Sequence, residues 1–191
     1  EAAAVNLNIR AGAGETGYAV NMFLPTSTYV RAGDTVTWSF TWDEPHSVTF
    51  GQPQGDPTAP AASNTAEYDG TGVVNSGLVF PAPGTPSTFS VKFTKEGAFD
   101  YYCVIHPLMT GQVVVQGAGI GEQDTQVAVD SRGAADYASA IAALKAAAGA
   151  QAAKPVAVTA GVGGGKKYTL AVSSATDLAQ GDVMQFFPSS L

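Results

Sequence analysis

Apolar and polar residues alternate through the first 117 positions. In "VNLNIRA" (5–11), Val5, Leu7, Ile9 and Ala11 fall on one side and polar residues on the other. A period of two marks a half-buried strand. The pattern returns in "NMFLPTSTYVRAGDTVTWSFTW" (21–42), broken by a turn at "RAGD" (31–34), and again in "HSVTF" (46–50). It is cleanest in "STFSVKF" (87–93), where Phe89, Val91 and Phe93 share a face; "GAFDYYC" (97–103) and "GQVVVQG" (111–117) supply two more strands. Short strands rich in Val, Thr, Phe and Trp, separated by Gly and Pro turns, predict an all-β Greek-key β-sandwich over residues 1–117. Trp38, Phe40 and Trp42 read as strand packing, and Met22 as core. Tyr101 and Tyr102 point to opposite faces, so one of them belongs to the core. The stretch 51–86, with "GQPQGDPTAPAASNTAEYDG" and "VFPAPGTPS", reads as long surface loop.

Past residue 118 the period changes. "GAGIGEQDTQVAVDSRG" (117–133) reads as a linker or short edge strand, and "AADYASAIAALKAAAG" (134–149) as an alanine-rich helix within a 118–153 connector. Tyr137, Ile141, Leu144 and Ala148 form its apolar stripe, Asp130 or Ser131 suits its start, and Gly149 suits the residue past its end. Residues 154–191 echo the beginning of the chain. "VAVTAGVGGG" is similar to "VNLNIRAGAG", and "VMQFFPSSL" to "NMFLPTSTYV", with Met184 matching Met22. This predicts the start of a second domain of the same kind. Such a partial domain exposes strand edges, leaving room for self-association through the incomplete C-terminal segment.

Composition narrows the function. The chain has 191 residues, 45% of them apolar and 13% charged, with a formal charge of −7. An acidic chain without a Lys/Arg cluster is repelled by a nucleic-acid backbone. No apolar run reaches membrane-spanning length. "GAGETG" (12–17) matches a dinucleotide fingerprint, but the β-like "YAVNMFLP" follows where a helix is required. "GVGGGKKYT" (161–169) has the wrong spacing for a phosphate loop.

What remains is a small set of soft ligands. The chain's single cysteine, Cys103, is followed at three-residue steps by His106 and Met109, and the only other histidine, His46, opens a strand far upstream. A cysteine protease would need Cys103 paired with a histidine base, which leaves Met109 and the β-loop unexplained. Thiolate, two imidazoles and a thioether together suit copper, as a His₂Cys site with a weak axial Met. Cys103 would end a strand, "VIHPLMTG" would curl around the metal, and Pro107 would stiffen that loop and remove an N–H from the thiolate's surroundings.

"PHSVTF" (45–50) and "YYCVIHPLMTGQVVV" (101–115) resemble the copper-binding segments of the cupredoxins, the type 1 blue copper proteins of the plastocyanin, amicyanin and halocyanin kind. The resemblance covers about residues 5–117. It implies His46, Cys103, His106 and Met109 as ligands of one copper ion, with His106 partly exposed and passing electrons. It implies an apolar docking patch of Pro45, Pro107 and Leu108. Cupredoxins often carry Asn directly after the first histidine to brace the copper loop; here Ser47 stands in that place. The implied activity is one-electron transfer between redox proteins, such as a cytochrome or a membrane electron-transport complex, and not catalysis. The implied location is extracytoplasmic, in the periplasm or on the outer face of the cytoplasmic membrane. The alternative is the electron-input domain of a larger multidomain copper oxidoreductase. Both histidines are used by this site, so further copper centres would need ligands from elsewhere.

Overall fold

A computed structural model describes residues 3–52, 65–81, 87–152, 157–160 and 166–169. Ten strands carry the alternating segments: β1 (Asn6–Glu15), β2 (Tyr18–Leu24), β3 (Ser27–Arg31), β4 (Thr35–Phe40), β5 (Thr49–Phe50), β6 (Thr65–Tyr68), β7 (Val74–Asn75), β8 (Ser87–Phe93), β9 (Gly97–Tyr102) and β10 (Thr110–Gln116). They form two five-stranded sheets, ordered β2-β1-β4-β8-β6 and β3-β10-β9-β5-β7. β1 runs parallel to β4, β6 to β8, and β3 to β10, while the remaining pairs are antiparallel. The result is the predicted β-sandwich.

The core lies where the inward residues of both sheets meet. Phe89, Val91 and Phe93 do share the buried face of β8. Trp38, Phe40, Phe50 and Phe93 are fully buried, and full burial of a Phe-sized side chain contributes about 2 kcal/mol. Tyr101 sits among Phe23, Trp38 and Phe50, with ring centroids 4.6–5.1 Å away. Burial holds its phenol well above the usual pKa. The "RAGD" turn between β3 and β4 is fastened by Asp34, whose carboxylate accepts the Arg31 and Val5 backbone N–H groups.

Several expectations change. Trp42 lies past the end of β4 and Met22 is only half-buried, so neither belongs to the closed core. Tyr102 is buried as well as Tyr101, because β9 is an interior strand and Thr49 and Thr110 flank Tyr102 on either side. The stretch 51–86 is not all loop: it contributes β6 and β7, each pairing at a sheet edge. The helix, α1 (Gln126–Ala152), begins eight residues before Ala134. Its first turn is capped by Thr125, whose hydroxyl accepts the Ala128 N–H at 3.2 Å. Asp130 and Ser131 therefore lie inside it, as does Gly149.

α1 packs on β1 and β2. Its buried stripe is Val129, Gly133 and Ile141, with Tyr137, Leu144 and Ala148 half-buried alongside. The small residue at 133 lets the helix backbone come close to the Leu24 carbonyl. Polar clasps hold both ends. Arg132 pairs with Asp124 at 2.5 Å, and Asp124 also accepts the Tyr29 N–H. Arg31 donates to the carbonyls of Gly117, Ile120 and Gly121, and Gln123 donates to Asp34. Midway along the helix Tyr137 donates to the Gly14 carbonyl, and nearer its end Lys145 pairs with Glu15. α1 thus runs alongside β1, from Asn8, which bonds Gln126, towards the β1–β2 turn. Beyond it, β11 (Ala157–Ala160) and β12 (Lys166–Thr169) form an antiparallel hairpin. "VMQFFPSSL" and Met184 lie outside the described residues.

Candidate metal centre

Three segments meet at one end of the sandwich. β9 ends at Tyr102, and Cys103 follows it directly. The connection to β10 turns tightly: Met109 N–H donates to the His106 carbonyl at 3.1 Å, and Cys103 N–H donates to the Met109 carbonyl at 2.9 Å. Leu108 closes this turn with a φ of 71°, a left-handed conformation that costs a side-chain-bearing residue about 1–2 kcal/mol. Met109, at the end of the turn, is 1% exposed and belongs to the buried core. His46 arrives from before β5. Its backbone exchanges two hydrogen bonds with Val79 (3.2 and 2.8 Å), from the segment expected to be loop.

The ligand atoms of His46, Cys103 and His106 all lie within 4.8 Å of one another. The two Nδ1 atoms face each other at 3.1 Å, and His106 Nδ1 is 3.5 Å from Cys103 Sγ. His46 and Cys103 are fully buried, while His106 is half-buried and reaches the surface. Around it Leu108, Ile105 and Pro107 are exposed and Pro45 is half-exposed. Ile105 went unnoticed in the sequence, although an apolar residue in a loop beside a ligand was the available signal.

The thiol environment favours the anion. Burial pushes the Cys103 thiol up, but hydrogen bonds from His106, His46 and the backbone N–H groups of Ser47 and Ile105 outweigh it and bring the pKa down to about 5. The Ser47 N–H lies 3.3 Å from Sγ. His106 moves the other way. Its hydrogen bond to Cys103 raises its pKa, burial opposes this, and the Cys103 and Glu44 charges add to the rise. Ser47 also braces the loop, since its Oγ accepts the Val104 N–H at 2.9 Å. The Ser47 hydroxyl thus ties the residue after His46 to the residue after Cys103.

These atoms fit a cation. Two imidazole nitrogens turned inward on each other, beside a thiolate, leave lone pairs converging that one shared proton cannot satisfy. Soft thiolate with imidazole selects copper among the first-row ions. The back of His46 is closed: among the described residues its Nε2 has no hydrogen-bond partner, and a Cβ placed on Gly12 would come within 2.1 Å of it. That ring presents only Nδ1 to a metal.

Residues 15–116 match the plastocyanin/azurin family of copper-binding proteins. Amicyanin-alpha of Methylorubrum extorquens is 34% identical over 106 residues, which is 56% of this chain and 74% of that protein. Amicyanin of Paracoccus denitrificans is 33% identical over 88 residues, covering 46% of this chain and 53% of the relative. Among solved structures, a mutant of amicyanin in its Cu(I) form aligns at 24% identity over 58% of this chain and 82% of its own, with a TM-score of 0.40. The fold and the clustered His, Cys and His define a cupredoxin. The chain belongs to the plastocyanin/azurin family, and its cofactor is a single type 1 copper ion.

Proposed function

We propose that the protein is a one-electron carrier whose copper would be held by His46, Cys103 and His106, with Met109 as a fourth ligand. Copper supplies the one-electron chemistry by alternating between Cu(II) and Cu(I). Every other task falls to the chain. Cys103 is delivered as a thiolate at neutral pH, so metal binding displaces few protons there. His46 is clamped by Val79 and sealed by Gly12, so it shifts little between oxidation states. His106 is the ligand with a solvent-facing edge, and Pro45, Ile105, Pro107 and Leu108 surround it with apolar surface that excludes water when a partner docks. The observation that carries this reading is the convergence of three ligand atoms within 4.8 Å at one end of the sandwich, with only His106 partly exposed.

The partners are redox proteins, such as a cytochrome or a membrane electron-transport complex. A charge of −7 suits a basic docking face, whose approach is then steered electrostatically. Among the described residues no helix is long and apolar enough to cross a membrane. The working location is extracytoplasmic, as the family resemblance implies. Residues 1–117 form the copper domain and 118–153 the connector, while 154–191 open a second domain of similar kind. The deciding experiment is copper loading. The oxidised protein should show an intense visible band from thiolate-to-copper charge transfer, lost in Cys103→Ser. A loaded protein without that band, or a serine variant that keeps it, rules the assignment out. The alternative, an electron-input domain of a larger copper oxidoreductase, has a support of its own: α1 and the β11–β12 hairpin lie beyond the matched residues. Metal analysis of the natural protein separates the two, since a simple carrier binds one copper per type 1 site and an oxidoreductase binds more.

A further inference from the structure

Asn75 stands in a stretch whose composition reads as surface loop, yet it is only 3% exposed. Burying an amide costs about 1–3 kcal/mol unless its hydrogen bonds are made. Here they lead to the copper loop. Asn75 Oδ1 accepts the Gly77 N–H at 2.8 Å and the Thr49 hydroxyl at 3.2 Å. Thr49 Oγ1 lies 3.5 Å from Ser47 Oγ, and Ser47 Oγ accepts the N–H of Val104, the residue after Cys103. Ser47 and Thr49 are both fully buried.

The order of donors along this chain is fixed at both ends. A backbone N–H only donates, and an amide oxygen only accepts. Thr49 gives its one proton to Asn75, so at its contact with Ser47 it must accept. Ser47 then donates to Thr49, which turns its lone pairs to Val104. One arrangement satisfies every group, and it is set from Asn75. The 3.5 Å contact is the longest link, so the chain is most easily broken there.

We propose that Thr49 and Asn75 are positioning residues for the copper loop: they orient the Ser47 hydroxyl as an acceptor for Val104 N–H, and so fix the backbone that leaves Cys103. The copper readout of this proposal rests on the function proposed above; its metal-free readout does not.

The test uses Thr49→Val, which keeps the side-chain shape and removes the hydroxyl, Thr49→Ser, which restores it, and Ser47→Ala, all in the full chain. In the metal-free protein, hydrogen exchange at the Val104 amide should quicken about five- to tenfold in Thr49→Val, the size expected for one net hydrogen bond, and return in Thr49→Ser. In the copper-loaded protein, the charge-transfer band and the reduction potential should shift with Thr49→Val and recover with Thr49→Ser. The Ser47→Ala/Thr49→Val double variant should go no further than Ser47→Ala alone, because Thr49 acts through Ser47. Asn75→Leu should reproduce Thr49→Val, and it serves if that variant does not fold. Wild-type exchange at Val104 in both Thr49→Val and Asn75→Leu overturns the proposal, as do additive effects in the double variant. A wild-type protein that binds copper without the visible band instead refutes the assigned function, while the Val104 exchange still decides this one.

Discussion

Gly12 occupies the bulge of β1, where the register against β2 slips between Ala11 and Ala13. Its φ is 77°, and any Cβ there would strike the His46 ring. Two costs therefore combine in Gly12→Ala: left-handed strain of about 1–2 kcal/mol and displacement of the proposed copper ligand His46. Gly17 is the matched control, since its φ is 86° and nothing lies within 4 Å of the added carbon. Both variants should lose stability in denaturant unfolding, Gly12→Ala by about 1–2 kcal/mol more. Only Gly12→Ala should weaken copper binding in a competitive chelator titration. Equal copper affinity in the two would mean that His46 does not depend on Gly12. This dependence was invisible in the sequence, where "GAGETG" reads only as a turn. The proposed ligands His46, Cys103, His106 and Met109 could be named because soft-metal chemistry admits few residue types and the chain holds only two His and one Cys. Ser47 could be placed only as the stand-in for an asparagine; its bond to the Val104 N–H and the buried bonds of Asn75 depend on which lone pairs face which donors once the chain has folded.

The long helix shows where local preference and packing part. Its existence and its stripe of Tyr137, Ile141, Leu144 and Ala148 were legible from a 3.6-residue period. Its first eight residues were not, because Asp130, Ser131 and Gly133 resemble a cap and a break, and only docking on β1 and β2 makes them helical. Helix propensity alone says that Gly→Ala stabilises by about 1 kcal/mol. That should hold at Gly149, where no described residue comes within 4 Å of an added Cβ, and thermal unfolding of Gly149→Ala should shift upwards. At Gly133 the sign should reverse. A Cβ there would lie 2.9 Å from the Leu24 carbonyl oxygen, a backbone atom with little room to yield. A Gly133→Ala midpoint at or above wild type would show that the helix is not tightly seated.

The sandwich was readable as a class because alternation, turn chemistry and ligand spacing all agreed. The edge strands β6 and β7 were missed because they are short and sit within Pro- and Gly-rich sequence. The core of Phe23, Trp38, Phe50, Val91 and Tyr101 is built without reference to metal. Copper should therefore stabilise the protein without being needed for folding, unlike a small zinc domain. Saturating metal at about a thousandfold above its dissociation constant adds about 4 kcal/mol. Stripping copper with a chelator should lower the melting temperature while far-ultraviolet circular dichroism keeps the β-sheet signal. Collapse of that signal on chelation would contradict a metal-independent core.

The direction of α1 gives the molecule two unlike poles. Val5 enters beside Asp34, at the end of β1 remote from His46, while the helix travels up the flank to Lys145 at the β1–β2 turn. One strand length, about 30 Å, separates these poles. A module joined directly after the helix would thereby sit near the pole of the proposed copper site, at the high local concentration that a short tether confers. Whatever is joined before β1 hangs from the opposite one. For anyone attaching this protein to an electrode or a second redox module, the choice between a graft ahead of β1 and one at the end of α1 is a choice of which pole faces the current.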